Sequence, residues 1–359
     1  MDKATNSRAH DTFSICGRNI GSGHPPFLIA EIAQAHDGSL GMAHAFVDAA
    51  AEAGADAVKF QTHIATAEST LDEPFRVRFS RQDQTRYDYW RRMEFSPEHW
   101  LGLSDHARER NLVFLSSAFS VEAIELLEKI GVPAWKVGSG EFSSSYLIEA
   151  MTATKLPIIF STGMCTYEDV SRAVHRIVGS GSAIALLQCT SKYPTPLTEV
   201  GLNVMNEYRR RFGCPVGLSD HSGTIWPGIA TIMRGFDLVE AHLTLDRRMF
   251  GPDTTSSLTI AEFRRLSEAR SSIWTMDANP IDKDSMAREL STMRSTFTKS
   301  VAPSRELSAG TVLTAEMLTM KKPGGGIPES DLPRLVGKRL RRSVNELRIL
   351  TWDDVQSDS

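Results

Sequence analysis

The chain of 359 residues lacks any stretch near the roughly 20 consecutive apolar residues that a membrane helix needs, so it does not read as a membrane protein. It has only four cysteines, Cys16, Cys165, Cys189 and Cys214, far apart and without a CxxC or CxxxC pair. That spacing argues against a zinc knuckle and a disulfide frame, and leaves buried free thiols as the expectation. There is no long basic run, and 40 basic against 44 acidic residues give a formal charge of -4, which speaks against a nucleic-acid partner and for a small substrate. The opening MDKATNSRAHDTFSICGRN is charged but is followed by no apolar core with a cleavage site, so no secretory signal is read and the cytoplasm is the expected location. What is present, 41% apolar and 23% charged residues, is ordinary for a globular protein, and the length suits one large domain plus a small one.

From Phe27 to about residue 270, short apolar β-branched runs alternate with segments of helical period. Eight runs are legible: FLIAEI (27 to 32), AVKFQT (57 to 62), LVFLSS (112 to 117), AWKVGS (134 to 139), PIIFST (157 to 162), AIALLQCT (183 to 190), PVGLSD (215 to 220) and LVEAHLTL (238 to 245). Eight βα units in a row predict an α/β fold of the closed (β/α)8 (TIM barrel) type. Helices are expected near 42 to 55, ending at Gly54, and near 121 to 129, 167 to 178 and 260 to 275. The segment 63 to 95 is long, charged and aromatic, and reads as either a lid or an oligomer contact. Past residue 280 the alternation stops. The expected division is a barrel over 1–280 with an N-terminal extension, a linker over 281–295, and a small domain over 296–359 rich in turn residues such as Pro323, Gly324, Gly325, Gly326 and Pro328.

In such a barrel the site forms at the carboxyl ends of the strands, and there almost every run ends in polar residues. The strands deliver Glu31, then His36 and Asp37, Lys59 and Gln61, Ser116 and Ser117, Lys136, Ser139 and Glu141, Ser161 and Thr162, Gln188, Ser191 and Tyr193, Ser219, Asp220 and His221, and finally Glu240 and His242. Lys59 and Lys136 on buried strands require anions. Either a phosphorylated, carboxylated ligand supplies them, with the serines donating to the remaining oxygens, or Glu31, Glu141 or Glu240 pair with the lysines inside the barrel mouth. His221 and His242 end adjacent strands and suit an Mn, Co or Zn type ion that polarises a carbonyl, although a lone strand-end histidine is more often structural. Asp220 is a candidate to orient one of them.

The stretches AEIAQAHDGSL, GADAVKFQT, KVGSGE, STGM, YPTP, GLSDHSGT and TLDRRMFGPD together resemble the sialic acid synthase family, which includes the N-acetylneuraminate, legionaminate and pseudaminate synthases. LSAGTVLTAEMLTMKKPGGGI resembles that family's antifreeze-like SAF domain, which is small and mostly β. The resemblance implies a transferase that condenses phosphoenolpyruvate with N-acetylmannosamine or a related acylamino aldose, and a SAF domain swapped over the partner's site in a homodimer. It implies that Lys59, Ser117, Lys136, Ser139, Ser161 and Ser219 hold phosphoenolpyruvate. His221 and His242 would carry a divalent metal, Mn2+ ahead of Mg2+ or Co2+. Glu31 and Glu141 would be catalytic, with Glu141 as proton shuttle, and Gln61, Ser191, Tyr193, Asp253 and Lys322 would face the sugar. Departures from the family pattern gather on the sugar side: AHDG for NHNG, Ser144 and Ser191 for Asn, Ala241 for Lys, and Lys322 for the RPG arginine. A synthase acting on another aldose, a metal-dependent aldolase or isomerase on the same barrel, and a non-catalytic polysaccharide- or partner-binding protein are the competing readings.

Overall fold

The computed structural model describes residues 11–356. The sequence reading of a missing signal segment falls largely on residues 1–10, outside the described residues. The chain divides into two compact units, 1–278 and 279–359.

The first unit opens with an antiparallel hairpin, β1 (Thr12–Ile15) and β2 (Arg18–Gly21). Eight parallel strands follow: β3 (Phe27–Ala33), β4 (Ala57–Thr62), β5 (Val113–Ala118), β6 (Trp135–Val137), β7 (Ile158–Ser161), β8 (Ile184–Cys189), β9 (Val216–Asp220) and β10 (Leu238–Thr244). Each pairs with the next, and β10 pairs with both β9 and β3, closing the barrel. The two-residue β11 (Leu258–Thr259) lies beside β10. The run at 134 to 139 yields the shortest barrel strand, because the chain turns after Val137 into a 3₁₀ turn over Ser139–Glu141.

Both faces of these strands are buried, which is why they read as near-continuous apolar runs. Period two then sorts the side chains. One set packs outward against the helices, for example Leu28, Val58, Phe60, Phe114 and Val239. The other set, Phe27, Ile29, Ala57, Val113, Leu115, Ala134, Ile159, Ala185, Leu187 and Leu238, fills the interior together with Ile15 and Ile20 of the hairpin. Gly217 sits where a Cβ would come within 2.1 Å of the Leu238 carbonyl oxygen, so only glycine lets β9 and β10 close there. Continuing in steps of two toward the carboxyl ends, the same inward positions become Glu31, Lys59, Ser117, Lys136, Ser161, Cys189, Ser219 and Glu240, all buried.

Helices cover the outside, with ends fixed by caps. Ser39 starts Leu40–Glu52, and Ser120 starts Val121–Ile130, which stops at Gly131 in the left-handed region (φ 85°). Thr166 with Asp169, and Thr259 with Glu262, form capping boxes at the heads of Tyr167–Gly179 and Ile260–Asp277. The segment 63 to 95 carries helices Ala65–Glu68 and Arg86–Met93 and a small core of Ala65, Tyr89, Trp90 and Met93, against which Phe75 and Phe79 pack.

In the second unit, the expected linker 281–295 is helical over most of its length, as Lys283–Glu289 and Ser291–Phe297. An antiparallel pair, β12 (Ser300–Pro303) and β13 (Leu318–Lys321), then leads into a core of Val301, Leu307, Leu313, Ile327, Leu335, Leu340 and Leu350. No helix of the described residues is long and apolar enough to cross a membrane. The four cysteines are free thiols, but the expectation that they are buried holds for Cys189 and Cys214 alone. Cys165 is half-buried, and Cys16 is exposed because it occupies the hairpin turn between β1 and β2, with φ 49°.

Candidate active site

Strand register brings the polar belt together. Glu31 on β3 is paired with Lys59 on β4, Ser117 on β5 with Lys136 on β6, Cys189 on β8 with Ser219 on β9, Ser219 with Glu240 on β10, and His242 on β10 with Glu31. These side chains line a cavity of about 340 Å³ at the carboxyl ends of the strands. A cleft of about 390 Å³ at the other end of the barrel, by Gly21, His24, Arg209 and Asp237, holds none of the expected site residues, and its Arg209 is committed to Asp237 at 2.8 Å.

The lysines pair with carboxylates of the barrel mouth. Lys59 Nζ lies 2.7 Å from Glu31 Oε2, Lys136 Nζ lies 3.4 Å from Glu240 Oε1, and Glu240 Oε2 is 3.9 Å from Lys59. Glu141, the other expected partner, takes no part. Lys136 donates to Ser161 at 2.8 Å, Lys59 to Ser117 at 3.4 Å, and Ser219 to Glu240 at 3.0 Å. Burial opposes ionisation of Glu240, but Lys136 and Lys59 overcome it and hold the pKa down at about 2. Burial, with the nearby Glu240 charge, raises that of Glu31. Burial and repulsion from Lys59 lower that of Lys136, whereas at Lys59 the two carboxylates outweigh burial and raise it. Two cations, two carboxylates and a ring of serine hydroxyls thus face one space, where a bound oxyanion could take over the lysines from their internal partners.

The imidazoles of His221 and His242 stand 5.3 Å apart, centre to centre, and both are buried. His221 Nδ1 faces the Thr190 carbonyl oxygen at 3.1 Å, which fixes a tautomer with Nε2 free. Burial lowers the His242 pKa to about 4, so that ring is neutral and its lone pair available. Among the described residues no group of three or more His, Cys, Asp or Glu is placed to hold an ion. Burial opposes protonation of His221, but Cys189 and the Thr190 carbonyl raise its pKa to about 9, so a cation bound there would displace a proton. One nitrogen from each ring suffices for an ion whose other positions are taken by water and substrate, and the donor set fits the expected metal. Asp220 accepts from Ser222, at 2.8 Å to the hydroxyl, and burial pushes its pKa up to about 6.

On the sugar side, Tyr193 packs 4.2 Å from the His221 ring, and Gln61, Ser191 and Asp253 share the cavity wall. Gln61 donates to Glu31 at 2.8 Å and accepts from Gln34 at 2.6 Å, while Gln34 meets His63, whose other nitrogen lies 2.5 Å from Glu68. Ser139 accepts from the Gly163 N–H at 2.9 Å. Glu141 is not on the wall. It follows Gly140, which is, and it accepts from Ser144 at 2.9 Å, with burial raising its pKa. Lys322 belongs to the second unit, where its ammonium lies over the Phe297 ring at 5.3 Å. Of the sequence departures in the barrel, Ser191 lines the cavity, whereas Ala35 and Ser144 are off its wall, Asp37 is paired with Arg92 at 2.7 Å, and Ala241 packs outward among the helix-facing core.

Sequence reasoning missed three features. Glu240, expected only as one possible partner for a lysine, bridges both. The Gln34–His63–Glu68 chain behind Glu31 left no signal beyond a glutamine at a strand end. Arg76, from the irregular segment 63 to 95, lines the cavity and reaches Asp253 at 2.7 Å; no spacing or period singles it out.

The profile of the NeuB family matches residues 46–281, and that of the SAF domain matches residues 298–356. An N,N'-diacetyllegionaminic acid synthase of Legionella pneumophila is 31% identical over 350 residues, 94% of this chain and 96% of its own. An N-acetylneuraminate-9-phosphate synthase of Homo sapiens is 32% identical over 336 residues, 92% of each chain. The crystal structure of an N-acetylneuraminic acid synthetase from Leptospira borgpetersenii, in complex with citrate, superposes with a TM-score of 0.69 at 25% identity over 81% of this chain and 98% of that one.

Proposed function

This chain belongs to the NeuB family, and from that membership we propose that it condenses phosphoenolpyruvate with an open-chain acylamino sugar to give a nonulosonic acid and phosphate. The observation that carries the reading is the convergence, in one cavity, of two buried lysines among serine hydroxyls with two buried histidines. An aldolase or isomerase would use the histidines but has no need of the lysine and serine belt.

Lys59, Lys136, Ser117, Ser139, Ser161 and Ser219 would hold phosphoenolpyruvate, the serines donating to oxygens that the point-charge lysines leave unmet. A divalent ion on His221 and His242, Mn2+ ahead of Mg2+ or Co2+, would supply Lewis acidity toward an aldehyde oxygen. C3 of phosphoenolpyruvate attacks the aldehyde carbon, water adds at C2, and phosphate leaves with cleavage of the carbon–oxygen bond. Glu31, on the wall beside Lys59, and Glu141, just behind Gly140, are the carboxylates for proton movement, with Glu141 assigned the shuttle because burial keeps its pKa above the ordinary range. Gln61, Ser191, Tyr193 and Asp253 would orient the sugar. We also propose a domain-swapped homodimer, in which Lys322 of the SAF domain reaches the acylamino group in the partner's site.

The test is phosphate release from phosphoenolpyruvate with Mn2+ across N-acetylmannosamine, diacetamido hexoses and plain aldoses, with mass detection of the products. A nine-carbon acid from an acylamino sugar is expected. Absence of phosphoenolpyruvate binding would overturn the reading.

A further inference from the structure

We propose that His63 and Glu68 are positioning residues: as a buried pair they fix the direction of a chain of hydrogen bonds, and thereby which end of the Gln61 amide meets the acceptor sugar. The inference rests on the synthase reading above and adds to it two residues that do not touch the cavity.

Gln61 on β4 donates from Nε2 to Glu31 Oε1 at 2.8 Å and accepts at Oε1 from Gln34 Nε2, 2.6 Å away and just past β3. Gln34 Nε2 also lies 2.7 Å from His63 Nε2, and His63 Nδ1 lies 2.5 Å from Glu68 Oε1, at the end of the helix Ala65–Glu68. Glu31, Gln34 and Gln61 line the cavity, whereas His63 and Glu68 stand behind its wall, their side chains 3% and 7% exposed. The His63 ring is held between two aromatic faces, Trp90 at 3.9 Å and 15° and Phe119 at 4.5 Å and 7°. Packing therefore sets its plane, and each nitrogen serves the partner it faces.

Hydrogen-bond capacity then leaves one direction. Carboxylates only accept, so the proton between His63 and Glu68 sits on Nδ1, and that between Gln61 and Glu31, which is ion-paired with Lys59, sits on the amide nitrogen. Gln61 thus turns its carbonyl to Gln34, and Gln34 answers with its NH2, one hydrogen for Gln61 and one for His63 Nε2. That nitrogen also lies 3.4 Å from the Gln61 carbonyl, but a proton placed on it would confront the Gln34 nitrogen at 2.7 Å, so the shorter contact decides. If His63 could not accept, Gln34 and then Gln61 would be free to turn over, and the Gln61 carbonyl would face the Glu31 carboxylate. In the arrangement observed, the second N–H of Gln61 has no partner among the described residues and is the donor offered to the sugar. Glu68 Oε2 is buried without a hydrogen-bond partner, a cost that a pair kept for stability alone would avoid as an apolar contact between the same rings.

The full chain is assayed with Mn2+, phosphoenolpyruvate and whichever of N-acetylmannosamine and the diacetamido hexoses gives the nine-carbon acid. His63→Phe keeps a flat ring between Trp90 and Phe119 but neither accepts from Gln34 nor donates to Glu68. It is expected to raise KM for the sugar by about 3- to 10-fold, the range of one neutral hydrogen bond. kcat should stay within about twofold, and the melting shift produced by phosphoenolpyruvate should persist. His63→Gln, whose amide oxygen can accept in place of Nε2, should recover most of the loss. Glu68→Gln keeps the size but donates as well as accepts, so it leaves both tautomers open and should give a smaller rise of the same kind; it carries the test if His63→Phe does not fold. In a Gln61→Met background His63→Phe should change KM no further. Unchanged KM in both variants, no recovery with His63→Gln, a rise undiminished in the Gln61→Met background, or kcat and phosphoenolpyruvate stabilisation falling in step overturns the assignment and leaves the synthase reading intact. No product from any sugar with the unaltered protein, and no phosphoenolpyruvate binding, removes the reading and the assignment with it.

Discussion

Replacing Lys136 by methionine tests the electrostatics of the belt apart from turnover. The ammonium is 3% exposed, 3.4 Å from Glu240, and is the largest favourable influence on that carboxylate. Glu240 is held at about 2 against an ordinary 4.5, a depression equivalent to about 3 kcal/mol at ~1.36 kcal/mol per pH unit. A depressed carboxylate contributes stability that is complete above 4.5 and is lost as pH falls from there toward 2. Lys136→Met should therefore destabilise the barrel by about 3 kcal/mol at pH 7, within the range of about 3–5 kcal/mol for breaking a buried pair, and the gap should narrow as the pH is lowered toward 3. In a Glu240→Gln background the same substitution should cost less than about 1 kcal/mol, since no charge is stranded. Urea unfolding followed by tryptophan fluorescence, at pH 7 and in steps down to pH 3.5, measures all four proteins. A gap that stays constant with pH, or that persists undiminished in the Glu240→Gln background, would refute the claim that Lys136 is the chief reason Glu240 stays ionised.

Three further outcomes follow from the same geometry. Ser144→Ala removes the hydrogen bond that lowers the Glu141 pKa, so the acidic limb of the kcat profile should move to higher pH; a limb that stays put assigns the proton step to Glu31 instead. Chelation should abolish turnover, and added Mn2+ should restore it in the unaltered protein but not in His242→Ala; calorimetry should show tight Mn2+ binding lost in that variant, and unchanged binding would remove His242 from the metal site. Lys322→Ala should lower activity with an acylamino sugar while the melting shift produced by phosphoenolpyruvate persists; parallel loss of both would contradict its place at the sugar.

The barrel was legible because eight apolar runs with both faces buried must recur, and the charged belt at its mouth because period two carries each inward row from Ile29 to Glu31, from Ala57 to Lys59, and from Ala134 to Lys136. Once a strand start is known, the next inward residue is known too, and a lysine there can be recognised from sequence as a buried charge. That logic ends where the strands end. Glu141 follows the short β6 through a 3₁₀ turn, so its position past Gly140 depends on turn geometry that no period encodes, and it falls off the wall. Asp37, counted with the site by its distance from a strand, leaves it because Arg92, 55 residues later, claims it. Arg76 is the same case reversed: a cation in an irregular segment enters the site only because Asp253, 177 residues away, and Tyr193 meet it there. The half of the cavity proposed for phosphoenolpyruvate is built on strands, whereas the half proposed for the acceptor is built largely on loops whose pairing is long-range. For this reason the reaction type could be read from the sequence and the identity of the sugar could not.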